Sequence, residues 1–201
     1  MCALSISFRY LTRSKASKVK AELLAPILTQ IVEDKRREIR GIKKNIEIKL
    51  IVSKDSYLAY RNIRKTDIRN IISNMFNNSI QAISHEGTIS VELKQDDYFI
   101  YITVSDNGKG IPAKIKNNIF DRNFSYKKND GEGLGLYLAH KYIKGYGGKI
   151  EVNSKIDVGT SFIIKLPKTA RPSWYIDSIK LFKYQKVTII GDQGFSDDIS
   201  S

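Results

Sequence analysis

The sequence is poor in cysteine and in long apolar runs. Cys2 is the only cysteine among 201 residues, so no disulfide can form within the chain. No apolar run approaches the roughly 20 residues that a membrane-spanning helix needs. Residues 1–15 carry no basic stretch ahead of their short apolar segment, as a secretory signal would. We therefore expect no membrane span and a reducing, cytoplasmic setting.

Histidine is also scarce, and the common phosphate-binding signature is missing. His85 and His140 are the only histidines, which excludes a histidine-based metal site. The pattern GxxxxGK[ST], which cradles nucleotide phosphates in one large class of ATPases, does not occur. Any nucleotide site must therefore be built in another way.

Acidic residues are outnumbered by basic ones. Lysine and arginine number 34 against 21 aspartates and glutamates, which gives a formal net charge of +13. This excess suits nucleic-acid binding, solvated lysine-rich faces, or attraction of a polyanionic nucleotide. No zinc module, RNA-stacking strand or helix-turn-helix pattern accompanies the charge. We therefore do not expect nucleic acid as a partner and rank nucleic-acid binding last among the possible functions.

Hydrophobic periodicity predicts alternating helices and strands. Pro26 is a possible kink in the first helix, and Thr66 or Asp67 is the expected N-cap of the second. The region 106–132 is predicted to be a long loop, and loops of that length in compact domains usually carry function. The expected elements are a helix at 17–40, a strand at 45–53, a helix at 66–84, strands at 89–93 and 100–104, a helix at 134–145, and strands at 149–154 and 160–166.

These elements define the expected fold class. Strands linked by hairpins form a mixed, mostly antiparallel sheet, and the apolar face of that sheet must be covered by helices. The prediction is an α/β fold, a two-layer α/β sandwich with helices on one face of the sheet. We divide the chain into an irregular lead-in (1–16), one domain (17–167) and a C-terminal extension (168–201).

Two asparagines form the first polar cluster. Asn74 and Asn78 are four residues apart, so both project from one face of the predicted helix, away from its apolar stripe. Such amides are either ordinary surface residues or ligands. Side-chain carbonyl oxygens that face a cleft suit a hard cation such as magnesium, bound beside phosphates.

Two glycine-rich stretches form the second and third clusters. Residues 106–111 (DNGKGI) follow a strand, and they form either a simple Asp-Gly turn or a carboxylate site with glycines that let a ligand approach. Residues 131–136 (GEGLGL) open a helix, where backbone amides attract phosphate. The latter stretch follows a loop, whereas the dinucleotide-binding glycine pattern follows a strand.

Together, and in this order, these clusters resemble the ATP-binding catalytic domain of sensor histidine kinases, in the GHKL ATPase superfamily. The resemblance covers roughly residues 18–167. Its boxes are the N box at 74–80 (NMFNNSI), the G1 box at 106–111, the F box at 119–127 and the G2 box at 131–136.

The resemblance implies the Bergerat fold, with ATP and Mg²⁺ as ligands. It implies that Asn78 coordinates magnesium and the phosphates, with Asn74 as a second contact on the same face. Asp106 is expected to accept from the adenine N6 amino group, with support from Thr160, and 112–130 is expected to form a mobile lid. The other expected ATP contacts are Gly108, Gly110, Ile111, Lys127, Gly131, Gly133, Leu134, Gly135 and Leu136.

Three positions depart from the family pattern. Arg122 and Asn123 stand where the F box usually has proline and phenylalanine, which puts the packing of the lid in question. Ser79 stands where alanine usually follows the key asparagine. None of these three departures removes an expected nucleotide contact. In the extension, 187–192 (VTIIGD) faintly resembles the first strand of a response-regulator receiver.

The resemblance also implies the activity: a protein histidine kinase that transfers the γ-phosphate of ATP and serves a response regulator. Only some 16 residues precede the predicted domain, too few for the helical hairpin that carries the acceptor histidine. We therefore expect an acceptor supplied in trans by a dimerisation and phosphotransfer domain or a kinase partner. Rival interpretations keep the fold: a non-catalytic or degenerate nucleotide-binding regulatory module, or an anti-sigma-factor-type serine/threonine kinase.

Overall fold

A computed structural model of the protein describes residues 18–122, 124 and 134–173. The chain divides into two units, residues 1–170 and residues 171–201, and only 171–173 of the second unit are described. The predicted lead-in (1–16) and the receiver-like stretch therefore lie outside the described residues.

The described elements are β1 (Lys20–Leu23), α1 (Leu24–Ile39), β2 (Asn45–Val52), a 3₁₀ turn (Lys54–Ser56), β3 (Tyr60–Ile63), α2 (Lys65–Ala82), β4 (Glu86–Gln95), β5 (Phe99–Asp106), α3 (Ala113–Lys116), α4 (Leu134–Gly145), β6 (Lys149–Lys155) and β7 (Gly159–Pro167).

Five strands form the main sheet, in the order β2-β4-β5-β7-β6. β2 runs parallel to β4, and every other neighbouring pair in this sheet is antiparallel. Helix α1 packs against β2, α2 against β4 and β5, and α4 against β6. The predicted fold class, a two-layer α/β sandwich with a mixed and mostly antiparallel sheet, is confirmed.

Alternation along the strands places the core between these two layers. Inward residues of β4 and β5 are buried, whereas their neighbours along each strand are more exposed. The apolar stripe predicted on α2 lies against this face, and its burial confirms that helix. The buried members are Ile68, Ile71, Ile72, Met75 and Phe76 on α2, Ile89, Val91 and Leu93 on β4, and Ile100, Ile102 and Val104 on β5.

The beginning of the domain differs from the sequence prediction. The first helix was expected at 17–40, but residues 20–23 form β1, which pairs antiparallel with β3 in a separate two-stranded sheet. The amide of Leu24 continues this pairing by donating to the carbonyl of Ala59 at 2.9 Å. Pro26 lies in the first turn of α1, where no intrahelical amide bond is lost, so it gives the helix no reason to kink.

The predicted N-cap of α2 is wrong. The helix begins at Lys65, and its N-cap residue, Arg64, makes no side-chain cap. Asp67 instead accepts a 2.5 Å hydrogen bond from the Tyr146 hydroxyl, while Arg61 donates to the Tyr146 carbonyl. Burial and the bond to Asp67 raise the pKa of Tyr146 to about 12. This cluster of side chains ties the start of α2 to the end of α4.

The remaining differences are small. Residues 113–116 form the short helix α3 inside the predicted loop. Helix α4 ends at Gly145, and the chain then turns through Gly147, whose φ of 74° lies in the left-handed region. The Gly148 amide donates to the Ile143 carbonyl at 2.9 Å and closes the turn. In the described part of the chain, no helix combines the length and apolar character needed to cross a membrane.

Candidate functional site

Asp106 lies at the end of β5 with both oxygens of its carboxylate held by donors. The hydroxyl of Ser79 on α2 donates to Oδ2 at 2.7 Å, and the backbone amide of Gly108 donates to Oδ1 at 2.9 Å. The backbone amide of Thr160 on β7 acts on the carboxyl as well and lowers its pKa. The side chain is half-buried, so a fixed acceptor faces a partly desolvated space.

Two opposing effects act on the acidity of Asp106. Burial raises the pKa of its carboxyl above the ordinary range, and this effect prevails. Hydrogen bonds from Ser79, Gly108 and Thr160 act in the opposite direction and lower the pKa. The donors thus partly offset the effect of burial and favour the ionised form, which is an acceptor for a ligand that brings an N–H group.

Glycine is required at two positions beside Asp106. Gly159 has a φ of 134°, and a Cβ atom there would lie 2.0 Å from the Asp106 carbonyl oxygen. Gly110 has a φ of 69°, and a Cβ atom there would lie 2.1 Å from the Lys155 carbonyl oxygen. Both the backbone conformation and the space exclude a side chain. The end of β5, the loop after it and the β6–β7 hairpin can therefore pack backbone against backbone.

Two hydroxyl side chains, those of Ser154 and Thr160, connect β6 and β7 at the end of the sheet that carries Asp106. Ser154 on β6 donates its single proton to the Gly159 carbonyl at 2.9 Å and accepts from the Ile111 amide at 2.8 Å. The Thr160 hydroxyl, 2.9 Å from the Ser154 oxygen, is then the donor of that pair. Thr160 is buried, so its hydroxyl supports the hairpin. No sequence pattern indicated Ser154.

The second group of predicted residues lies between α2 and the first turn of α4. Asn74 and Asn78 are both half-buried on α2. The Asn74 side-chain amide donates to the Gly135 carbonyl at 3.3 Å. Asn77, by contrast, is exposed, and its amide oxygen accepts from Lys35 on α1 at 2.8 Å. The two predicted asparagines thus share the side of α2 that meets α4, and Asn77 points to a different helix.

Helix α2 brings the two groups together. Ser79 reaches Asp106, while Asn74 reaches Gly135, and Asn78 lies between these two contacts along the helix. Both groups of predicted ligand residues therefore contact helix α2. The predicted residues in the described part of the chain are Asn74, Asn78, Asp106, Gly108, Gly110, Ile111, Leu134, Gly135, Leu136 and Thr160, whereas Lys127, Gly131 and Gly133 lie outside it.

The F-box region packs in spite of its unusual residues. Ile119 is buried, and Phe120 and Phe124 lie against the core. The Phe120 ring stacks on the His140 ring, with 5.3 Å between centroids and 29° between planes. His140 is half-buried on α4. Arg122 is exposed and takes no part in the packing, whereas Asn123 lies outside the described residues.

Comparison with known proteins identifies this arrangement. Residues 63–170 match the family described as histidine kinase-, DNA gyrase B-, and HSP90-like ATPase. The probable C4-dicarboxylate sensor kinase of Halalkalibacterium halodurans is 34% identical over 131 residues, which cover 62% of this chain and 25% of that protein. Histidine protein kinase SaeS of Staphylococcus aureus is 30% identical over 153 residues, which cover 72% of this chain and 42% of that protein.

The similar solved structures also include histidine kinase catalytic domains. The nucleotide-free catalytic domain of histidine kinase ThkA superposes with a TM-score of 0.65 at 27% identity, over 74% of this chain and 97% of that domain. The chain spans less than half the length of either sensor kinase named above. On the match of its sequence, its sheet order and the position of its boxes, this chain belongs to the histidine kinase-, DNA gyrase B- and HSP90-like ATPase family.

Proposed function

We propose that this chain binds Mg-ATP and transfers the γ-phosphate to a histidine supplied in trans. The observation that carries the proposal is that two faces of α2 meet the two predicted groups: Ser79 holds Asp106 as a fixed acceptor, while Asn74 reaches the first turn of α4, with Asn78 one helical turn further along the same face. Membership of an ATPase family and the kinase names of its relatives support it. With ATP as donor, we place the reaction in the cytoplasm.

Asp106 is proposed to recognise the adenine base. An ionised carboxylate only accepts hydrogen bonds, so it pairs with the N6 amino group of adenine. The Ser79 and Gly108 donors fix the plane of the carboxylate before the ligand arrives, which reduces the entropy lost on binding. Gly108 and Gly110, with Ile111, are proposed to form the pocket wall on this side.

The phosphates are proposed to lie where α2 faces the first turn of α4. Backbone amides at a helix N-terminus favour phosphate, and Leu134, Gly135 and Leu136 form that turn. Gly131 and Gly133, which precede it in sequence, and Lys127 are proposed to add further phosphate contacts.

Asn78 is the proposed protein ligand of magnesium. Its amide oxygen is a hard neutral donor, which fits Mg²⁺ only when phosphate oxygens and water complete the coordination. The half-buried Asn78 on the α4 side of α2 suits that arrangement. When bound, magnesium neutralises charge on the phosphates during transfer. The residues of the chain then position the γ-phosphate for an external acceptor.

The chain is proposed to hydrolyse ATP slowly on its own. Members of the superfamily that hydrolyse ATP use a glutamate four residues before the magnesium asparagine, where it activates water. Here that position is Asn74, and its amide cannot take up a proton at neutral pH. The Asn74 side chain instead donates to the Gly135 carbonyl. Transfer should therefore depend on a positioned acceptor, and a response regulator is the proposed next recipient.

A phosphotransfer assay tests this function. The chain is incubated with γ-labelled ATP, magnesium and a separately purified dimerisation and phosphotransfer domain that carries its acceptor histidine. We expect acid-labile, alkali-stable label on that histidine, and no label when it is replaced by alanine. Acid-stable label on serine or threonine would instead support an anti-sigma-factor-type kinase. Label on His85 or His140 would contradict transfer in trans.

A further inference from the structure

A buried serine lies behind the proposed adenine acceptor. Ser79 is 0% exposed, and its hydroxyl is 2.7 Å from Asp106 Oδ2. Because it has no exposed surface, Ser79 cannot touch a nucleotide. We infer that Ser79 is a positioning residue: it holds the Asp106 carboxylate as a fixed, ionised acceptor, so that the site selects a purine that carries a 6-amino group. This inference rests on the function proposed above.

The direction of the Ser79 hydrogen bond follows from its partners. A serine in a helix commonly bonds back to a carbonyl of the preceding turn. Here the hydroxyl reaches instead from α2 to the end of β5, across 27 residues of sequence. An ionised carboxylate has no proton to give, so the serine is the donor. Gly108 holds the other oxygen at 2.9 Å, and both carboxylate oxygens are thereby fixed.

Selectivity follows from the charge and orientation of the carboxylate. A fixed, ionised Asp106 accepts from a 6-amino group and repels a 6-oxo group, because both oxygens are acceptors. Without the Ser79 bond, only one carboxylate oxygen is still held, by the Gly108 amide, and the carboxylate takes up a proton more readily, since the Ser79 bond has the largest lowering effect on its pKa. A protonated carboxyl donates to a 6-oxo group. Loss of Ser79 should therefore weaken ATP binding and reduce discrimination against inosine triphosphate.

The groups around Asp106 make its titration simple to interpret. From α2 it faces the Ser79 hydroxyl, from the following loop the Gly108 amide, and from β7 Thr160. On β4 its register partner is Ile89. None of these groups titrates, so a shift in the acid limb of nucleotide binding on Ser79→Ala reports on Asp106.

The test compares Ser79→Ala with a matched variant. Ser56→Ala also removes a 0%-exposed hydroxyl with a 2.7 Å partner, Ser53, but near the opposite end of β4 from Asp106. ATP and inosine triphosphate are titrated calorimetrically against both variants and wild type, across a pH series. For Ser79→Ala we expect about tenfold weaker ATP binding, the scale of one hydrogen bond to a charged group. The preference for ATP should fall by a similar factor, and the acid limb should move to higher pH.

A double-mutant cycle separates positioning from a general packing effect. If Ser79 acts through Asp106, Ser79→Ala has no further effect on ATP affinity in an Asp106→Asn background. The same tenfold loss in that background, or wild-type behaviour of Ser79→Ala in affinity, preference and pH profile, would overturn the inference. Wild-type ATP affinity of Asp106→Asn alone would contradict the proposed function itself, so the two failures are distinguishable.

Discussion

Two faces of helix α2 are built differently: the face at Ser79, which meets the end of β5, and the face at Asn74 and Asn78. On the Ser79 face, Asp106 accepts from Ser79 and Gly108, and the backbone around it packs so closely that Gly159 and Gly110 exclude any side chain. On the Asn74 face, the hydrogen bond from Asn74 to the first turn of α4 is a long 3.3 Å contact. A Cβ atom on Gly135 would lie 3.2 Å from the Asn74 side chain, which is tight but tolerable.

We infer from this difference that the two faces serve different steps. The proposed base-binding face is fixed before any ligand binds, because its donors belong to α2 and to the loop after β5. On the proposed phosphate-binding face the hydrogen bond from Asn74 to Gly135 is long, so we expect ATP and magnesium to add order when they bind. The base should thus set which nucleotide binds, whereas the phosphate-binding face should set whether the phosphate is transferred.

The largest expected effect comes from breaking the packing around Asp106, beside the Ser79 face of α2. Gly159→Ala should destabilise the fold by about 3–5 kcal/mol, because it combines a strained φ with a Cβ atom placed on the Asp106 carbonyl. Gly145→Ala is the matched control, since no atom lies within 4 Å of its added Cβ, and it should be neutral or slightly stabilising. Urea unfolding measures both. Equal stabilities would show that the close packing is not required.

The next largest effect concerns chemistry on the Asn74 face of α2. Asn78→Asp adds a negative charge beside the proposed phosphates, and it should reduce magnesium-dependent phosphoryl transfer by on the order of 100-fold or more. Asn77→Asp adds the same charge one residue away, where Lys35 can pair with it, and transfer should persist. The labelled-ATP assay compares the two. If they behave alike, the metal ligand lies elsewhere.

A smaller effect is expected from pH. Burial raises the pKa of Asp106, so its carboxylate protonates at a higher pH than an exposed aspartate. ATP affinity should be constant above that pKa and should fall as pH falls through it, because the acceptor for the amino group is lost. Asp106→Asn lacks this titration. Subtracting its calorimetric pH profile from that of wild type therefore cancels the contribution that comes from the titration of ATP itself. Parallel profiles would rule out Asp106 as the group.

The smallest effect is expected at Gly135. Gly135→Ala crowds the Asn74 side chain by a few tenths of an ångström, while alanine favours the helix by about 1 kcal/mol. Stability should change by less than about 1 kcal/mol, and ATP affinity should fall only about two- to fivefold. Thermal unfolding and calorimetry measure these changes. A loss of stability as large as that of Gly159→Ala would mean that the two faces are equally rigid.

Periodic elements could be predicted from the sequence because burial repeats along them. The alternation of Ile89, Val91 and Leu93 predicted β4, and the stripe from Ile68 to Phe76 predicted α2. β1 and β3 could not be found in this way. Each has four residues, β3 buries the charged Arg61, and the paired residues of the two strands are between 37 (Leu23 and Tyr60) and 43 (Lys20 and Ile63) positions apart in sequence. A pattern within one segment carries no information about such a partner.

Site geometry was harder to predict than site composition. The glycine-rich boxes indicated Asp106, but not that both of its carboxylate oxygens are held. Ser79 stood out only as a departure from alanine, since its partner is distant in sequence. Asp67 was expected to cap α2 on the basis of residue preference alone, and a hydroxyl from Tyr146, 79 positions away, competes for it. Contacts between distant segments decided each case.

Calorimetric titration of Mg-ATP into wild type and Asp106→Asn tests the central claim, that Asp106 binds the adenine base, most directly. Wild type should bind in the micromolar to millimolar range. Asp106→Asn should bind about 10- to 150-fold more weakly, or about 1.5–3 kcal/mol, the scale of a hydrogen bond to a charged partner. A folded variant that binds Mg-ATP as tightly as wild type would contradict the account.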